Sequence, residues 1–269
     1  MNQTVIDRLN TIRLFLLDLD GTVYLGTTPV PGAVDFINRL KSTGKDYVFM
    51  TNNSSKSAAD YIEKLTKLGF PVTERNILTS GQVTGWYLEN EKPGAHVYVV
   101  GTESLKKELS LRNIRIVDGG EQADCVVVGF DTGLTYQKLL HACDYLNNGA
   151  DFIATNPDLV CPVGGGCYIP DCGSICQCIT HAVKREAVFI GKPHTKLVDF
   201  LKAGRTVSRT ATAVVGDRLY TDIALGCNAG IMSICTLTGE ADRAAIKASD
   251  YRPDCVVESV AELLEVLAG

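Results

Sequence analysis

Four apolar runs in this chain each end in residues suited to handling a charged oxygen. The first, Leu14-Phe15-Leu16-Leu17, leads directly into Asp18, Leu19 and Asp20, followed by Gly21 and Thr22. Residues two apart on an extended chain project to the same side, so Asp18 and Asp20 make a carboxylate pair. Gly21 lets the chain turn sharply after them. Two carboxylates ~4 Å apart repel by about 4 kcal/mol at an effective dielectric near 20, so a close pair needs a proton or a cation between its members. An EF-hand calcium loop is excluded, since that loop requires Gly at its sixth position and Glu at its twelfth. Those positions hold Val23 and Pro29. An acidic pair on a solvated turn is the alternative that these residues alone leave open.

The second run, 47–50, ends in Thr51-Asn52-Asn53-Ser54-Ser55. A threonine hydroxyl can donate to a phosphoryl oxygen, and backbone N–H groups opening a helix attract an anion. Ordinary helix capping reads equally well there. The third run, 188–190, ends in Gly191-Lys192-Pro193. Lys192 can meet an anion as a point charge. A Walker-A loop would need Gly at position 186, which is Glu186. The fourth run, 212–215, ends in Gly216-Asp217-Arg218, with Asp222 five residues further on. Hard cations such as Mg²⁺ favour carboxylate and carbonyl oxygens. Asp217 is therefore a candidate direct ligand, and Asp222 a group behind it that orients Lys192 or a water beside the ion.

These ends need a scaffold that brings them together. The apolar runs alternate with helical stretches at 31–41, 54–68 and 260–267, and Gly69 suits the end of the second. Strands alternating with helices imply parallel pairing through right-handed crossovers, hence an α/β, doubly wound, Rossmann-like parallel sheet. In such sheets ligands bind beyond the carboxyl ends of the strands. A second α/β pattern occupies the middle of the chain, with strand-like runs at 96–100 and 125–128 and helical stretches at 103–109 and 136–147. The division expected is therefore a first core half at 1–80, an inserted α/β cap at 81–172 and a second core half at 173–269. Gly164, Gly165 and Gly166 read either as a lip or as a plain connector.

Composition limits the partners. The chain has 269 residues, 45% hydrophobic and 21% charged, with a formal net charge of -5. A mildly acidic surface repels polyanions, which speaks against a nucleic-acid polymer and an acidic membrane. No apolar segment approaches the ~20 residues of a membrane span. Ten cysteines without an export signal suggest a reducing cytoplasm. Cys161, Cys167, Cys172, Cys176 and Cys178 crowd together but contain no C-x-x-C pair. Small buried thiols explain them better than a zinc or redox site. His96, His141, His181 and His194 show no metal-ligand spacing, and Trp86 reads as a packing anchor.

Taken in order, Asp-x-Asp, Thr, Lys and Asp at four strand ends resemble the haloacid dehalogenase superfamily of phosphatases. The motifs are DLDGT, TNN, GKP and GDRLYTDI, and FMTNNSS, IGKPH and ATNPD resemble its NagD-like, 4-nitrophenylphosphatase-type subfamily. The resemblance implies a Mg²⁺-dependent phosphomonoesterase with an inserted α/β cap. It makes Asp18 the nucleophile and Asp20 the general acid and base. Thr51, Lys192 and the backbone of Asn52 bind phosphate, while Asp18, Asp217 and the carbonyl of Asp20 bind the metal. It also points to Asn156 and Asp158 as substrate-facing cap residues, although an Asn-Pro turn is the plainer reading of that segment. The partner implied is a small phosphomonoester: a nucleotide, a sugar phosphate, a phosphoglycolate-like acid or pyridoxal phosphate. A homodimer is compatible with the sequence. Rival readings are a carbon–halogen hydrolase, a phosphomutase, a receiver-like signalling module and an inactive phosphate-binding relative.

Overall fold

A computed structural model describes residues 1–164 and 167–267, so Gly165 and Gly166 of the expected lip lie outside the described residues. The chain divides into two compact units. Met1–Thr51, Tyr61–Leu78 and the described residues from Leu201 onward form one, and Asn52–Asp60 with Thr79–Phe200 form the other.

The first unit is built on a six-stranded sheet. Its strands run in the spatial order Cys255–Val257, Met232–Thr236, Thr212–Gly216, Leu14–Asp18, Asp46–Thr51, Ile77–Thr79. Leu14–Asp18 pairs in parallel with Asp46–Thr51 on one side and Thr212–Gly216 on the other. From that central strand the chain steps first to one side and later to the other. Leu14–Asp18 and Thr212–Gly216 therefore flank the point where strand order reverses, the place at which open α/β sheets take ligands. Phe15, Leu16 and Leu17 are fully buried, as expected of a strand covered on both faces. Helix Ala33–Ser42 covers the sheet with Ala33, Phe36, Ile37 and Leu40, and Phe36 meets Phe15 edge-on at a centroid distance of 5.8 Å.

The second unit carries a five-stranded sheet in the order Val188–Phe189, Asp151–Ala154, Cys125–Val128, His96–Val100, Arg115–Val117. Every neighbouring pair in it is parallel. Helix Cys172–Val183 presses Cys172, Ile175, Cys176 and Ile179 into the same core as Val126, Val128 and Phe152. Residues 173–200, expected in the second core half, thus fall in the second unit, because this helix and the strand Val188–Phe189 are packed there. A hairpin of Val160–Gly164 with Cys167–Pro170 adds a small separate sheet. Cys172 and Cys176 are core residues, with sulfurs 3.9 Å apart, whereas Cys167 and Cys178 are exposed.

The helix expected from residue 54 begins at Ala58. The Ser54 hydroxyl is already engaged by the Phe130 N–H at 2.9 Å and the Thr155 hydroxyl at 2.8 Å, which ties the segment before the helix to the second unit. Among the described residues no helix is long and apolar enough to cross a membrane. Phe36→Ala should remove about 3–5 kcal/mol of stability, as expected for truncating a fully buried aromatic. Urea unfolding measures it, and a loss below about 1 kcal/mol would contradict the packing described.

Candidate active site

Three carboxylates converge where the first sheet reverses order. Asp18 ends the central strand, Asp217 follows Thr212–Gly216, and Asp222 lies in the turn Leu219–Ile223. Each offers an oxygen within 4.8 Å of the others. Asp217 and Asp222 are buried and Asp18 is half-buried, so one carboxylate of the three keeps an accessible face.

The surroundings are shaped to hold this crowding. Asp217 accepts from the Glu240 N–H at 2.8 Å through Oδ2 and from the Thr22 hydroxyl at 3.3 Å through Oδ1. Gly21 sits at φ +92°, and a Cβ there would lie 2.3 Å from Asp217 Oδ2. A Cβ on Gly239 would come within 2.0 Å of the same oxygen. Gly216 makes similar room for Asp222, whose Oδ2 accepts from the Arg218 N–H at 3.2 Å. Both approaches need residues without side chains.

Burial, followed by the charges of Asp18 and Asp222, pushes the Asp217 carboxyl up to about 7. Such a group takes a proton at neutral pH unless a cation replaces it. All the converging atoms are carboxylate oxygens, a donor set that suits a hard divalent cation. Asp20 stands just beyond the cluster. As a residue it is exposed, yet desolvation raises its carboxyl above the usual range, Lys64 pulls it down and Asp18 pushes it up. Leu19, between Asp18 and Asp20, is buried. Thr51 is buried at the carboxyl end of the neighbouring strand, one residue beyond Met50, which is in register with Asp18.

The second unit holds the remaining candidates in a network of their own. Lys192 is 2% exposed. The Asn52 side chain accepts from the Lys192 N–H at 2.9 Å and donates to the Lys192 carbonyl at 2.9 Å. It also donates to Asp158 at 2.6 Å, as Asn156 does at 2.9 Å. Asn156 and Asp158 are 0% and 4% exposed. Their side chains are buried and hydrogen-bonded to one another, to Asn52 and to Asp171.

Sequence reasoning missed Thr22, Gly239 and the Glu240 N–H as supports of Asp217. The signal was present in Thr236-Leu237-Thr238-Gly239, which follows the apolar run 231–235 as another strand end. It also missed Asp171, whose carboxylate accepts from Asn156 at 3.2 Å.

Comparison with known proteins identifies the family. A family model described as haloacid dehalogenase-like hydrolase matches residues 15–115, and a second, described as HAD-hydrolase-like, matches residues 189–263. The 5'-nucleotidase YutF of Bacillus subtilis is 34% identical over 254 residues, covering 94% of this chain and 98% of the relative. The crystal structure of a 4-nitrophenylphosphatase from Thermotoga maritima superposes with a TM-score of 0.91 at 39% identity, covering 96% of this chain and 98% of that one. NagD from E. coli K-12 superposes with a TM-score of 0.85 at 31% identity, covering 93% and 98% of the respective chains.

The raised Asp217 carboxyl has a consequence for stability. Its folded pKa of about 7 exceeds its ordinary value of 3.8, so its contribution is full below the ordinary value and lost as pH rises through the folded one. A divalent cation substitutes for the lost proton. The rise in melting temperature on adding such a cation should therefore be small near pH 5 and grow towards about pH 8. An equal rise at both ends, measured by thermal unfolding, would contradict it.

Proposed function

The chain belongs to the haloacid dehalogenase-like hydrolases, and from that premise we propose a magnesium-dependent phosphatase that forms a covalent phosphoryl intermediate on Asp18. The single observation that carries the reading is the unequal burial within the carboxylate cluster. Asp217 and Asp222 are sealed in while Asp18 keeps an open face, the arrangement required of two anchors and one nucleophile.

An Asp18 oxygen attacks the phosphorus of a small phosphomonoester in line. The bond from phosphorus to Asp18 forms as the bond to the leaving oxygen breaks. Asp20 gives that oxygen a proton, and its raised carboxyl suits a group that must hold one at the start. In the second half Asp20 takes a proton from a water that attacks the same phosphorus, releasing inorganic phosphate and restoring Asp18. The Thr51 hydroxyl, the Asn52 N–H and the Lys192 ammonium hold the non-bridging oxygens, on which transition-state charge is spread. Asp18, Asp217 and the Asp20 carbonyl would hold Mg²⁺, which would supply positive charge to offset the carboxylates and the phosphoryl group. Asp222 stands behind Asp217 as a buried anchor of that charge balance.

The phosphate end is common to all phosphomonoesters, so selection must come from groups that touch the rest of the substrate. Asn156 and Asp158 are the candidates for that task which the family resemblance supplies. The name of the B. subtilis relative puts nucleoside monophosphates first in a substrate panel, and that of the T. maritima structure recommends p-nitrophenyl phosphate as the artificial substrate.

Asp18→Asn should fold as the parent does and lose turnover by a factor on the order of 10⁴ or more. Phosphate release from p-nitrophenyl phosphate with Mg²⁺ measures the loss, and circular dichroism checks the fold. Turnover retained in a folded Asp18→Asn chain would remove the nucleophile and with it this reading.

A further inference from the structure

The backbone of Lys192 is gripped on both sides by one side chain. Asn52 Oδ1 accepts from the Lys192 N–H, while Asn52 Nδ2 donates to the Lys192 carbonyl, each at 2.9 Å. The pairing resembles that of two strands and fixes the peptide on either side of the Lys192 Cα. The other hydrogen of Asn52 Nδ2 goes to Asp158 Oδ2 at 2.6 Å, so both donors of the carboxamide are used. This settles which way the amide faces: its nitrogen must point to the carboxylate and the carbonyl, and its oxygen to the N–H.

Asp158 is itself held. Its Oδ2 also accepts from Asn156 Nδ2 at 2.9 Å, and the same nitrogen donates to Asp171 Oδ1 at 3.2 Å. Two amide donors thus meet on one oxygen of Asp158, which makes that oxygen the firm point of the chain. Gly191 completes the cradle. A Cβ there would lie 2.6 Å from the Thr155 carbonyl oxygen and 2.7 Å from Asn52 Oδ1, so no other residue lets the strand end approach so closely.

We infer that Asn52 and Asp158 are positioning residues for Lys192, Asp158 acting through the Asn52 carboxamide. This rests on the reading above, in which the Lys192 ammonium holds phosphoryl oxygens. Lys192 is 2% exposed, so packing confines its flexible four-carbon stem, and the fixed backbone sets the point from which that stem starts. Electrostatic help to a transition state requires the charge to be in place before the reaction. The same network satisfies the buried Asp158 side chain.

A double-mutant cycle tests the claim, with p-nitrophenyl phosphate as substrate. Asp158→Asn should lower kcat/KM by a factor of about 10 to 100, the cost of a misplaced group in a site that depends on geometry. With Lys192→Ala already present, the same change should lower it by no more than about twofold. Equal factors in both backgrounds would overturn the inference, since a general structural defect acts whether or not the lysine is there. If Asp158→Asn does not fold, Asn52→Ala replaces it in the cycle. A second measurement needs no activity: in Asn52→Ala the Lys192 amide should exchange its hydrogen at least about tenfold faster, with Val127 and Ile153 of the five-stranded sheet unchanged. Unchanged exchange at Lys192 would equally overturn the inference. A parent chain that releases no phosphate would instead sink the phosphatase reading, and the exchange result alone would then decide the positioning claim.

Discussion

Mutual repulsion among Asp18, Asp217 and Asp222 is the constraint around which the first unit is organised. With oxygens within 4.8 Å of one another, each pair repels by about 3–4 kcal/mol at an effective dielectric near 20. A fold of marginal stability keeps such a cluster only by surrounding it with donors and by leaving it a positive charge or a proton to bind. The glycines at 21, 216 and 239, the Glu240 N–H and the Thr22 hydroxyl serve the first need. The half-open face at Asp18 serves the second. The sheet supplies the location, since the reversal of strand order opens a crevice between the two strand ends that carry Asp18 and Asp217.

The second sheet has the same kind of edge and puts it to a different use. Its strand ends lead into Gly101-Thr102, Gly129-Phe130, Thr155-Asn156 and Gly191-Lys192. The irregular segment from Asn52 to Ser55 lies against them. Besides the bonds of Ser54 to Phe130 and Thr155, the Thr102 hydroxyl donates to the Ser55 carbonyl at 3.0 Å and the Ser80 hydroxyl to the Asn52 carbonyl at 2.7 Å. A place where a parallel sheet could take a ligand is occupied by the chain itself. The segment that follows Thr51 is held there by side-chain hydroxyls and amides, and the backbone of Lys192 is fixed by the same segment.

Much of this was legible in the sequence because it rests on local patterns. An apolar run ending in carboxylates is a buried parallel strand reaching a ligand edge, and Leu14–Asp18 and Thr212–Gly216 are such strands. Helix 136–147 was legible from its own periodicity, and the Thr135 hydroxyl caps it by accepting from the Lys138 N–H. What escaped depends on partners distant in sequence. The strand Val188–Phe189 is two residues long, and only pairing with Asp151–Ala154 assigns it to a sheet. Asn156 and Asp158 drew notice only through the family resemblance, and the Asn156-Pro157 pair suggested no more than a turn. Their burial is tolerable only because Asn52 and Asp171, far away in sequence, satisfy them.

The central claim is that the carboxylate cluster is a site for one divalent cation. Anomalous diffraction from a crystal soaked in Mn²⁺, a heavier stand-in for Mg²⁺, tests it most directly. The account predicts a single strong peak within coordinating distance of Asp18 and Asp217, lost in Asp217→Asn. A peak elsewhere, or none at a concentration that saturates turnover, would contradict it.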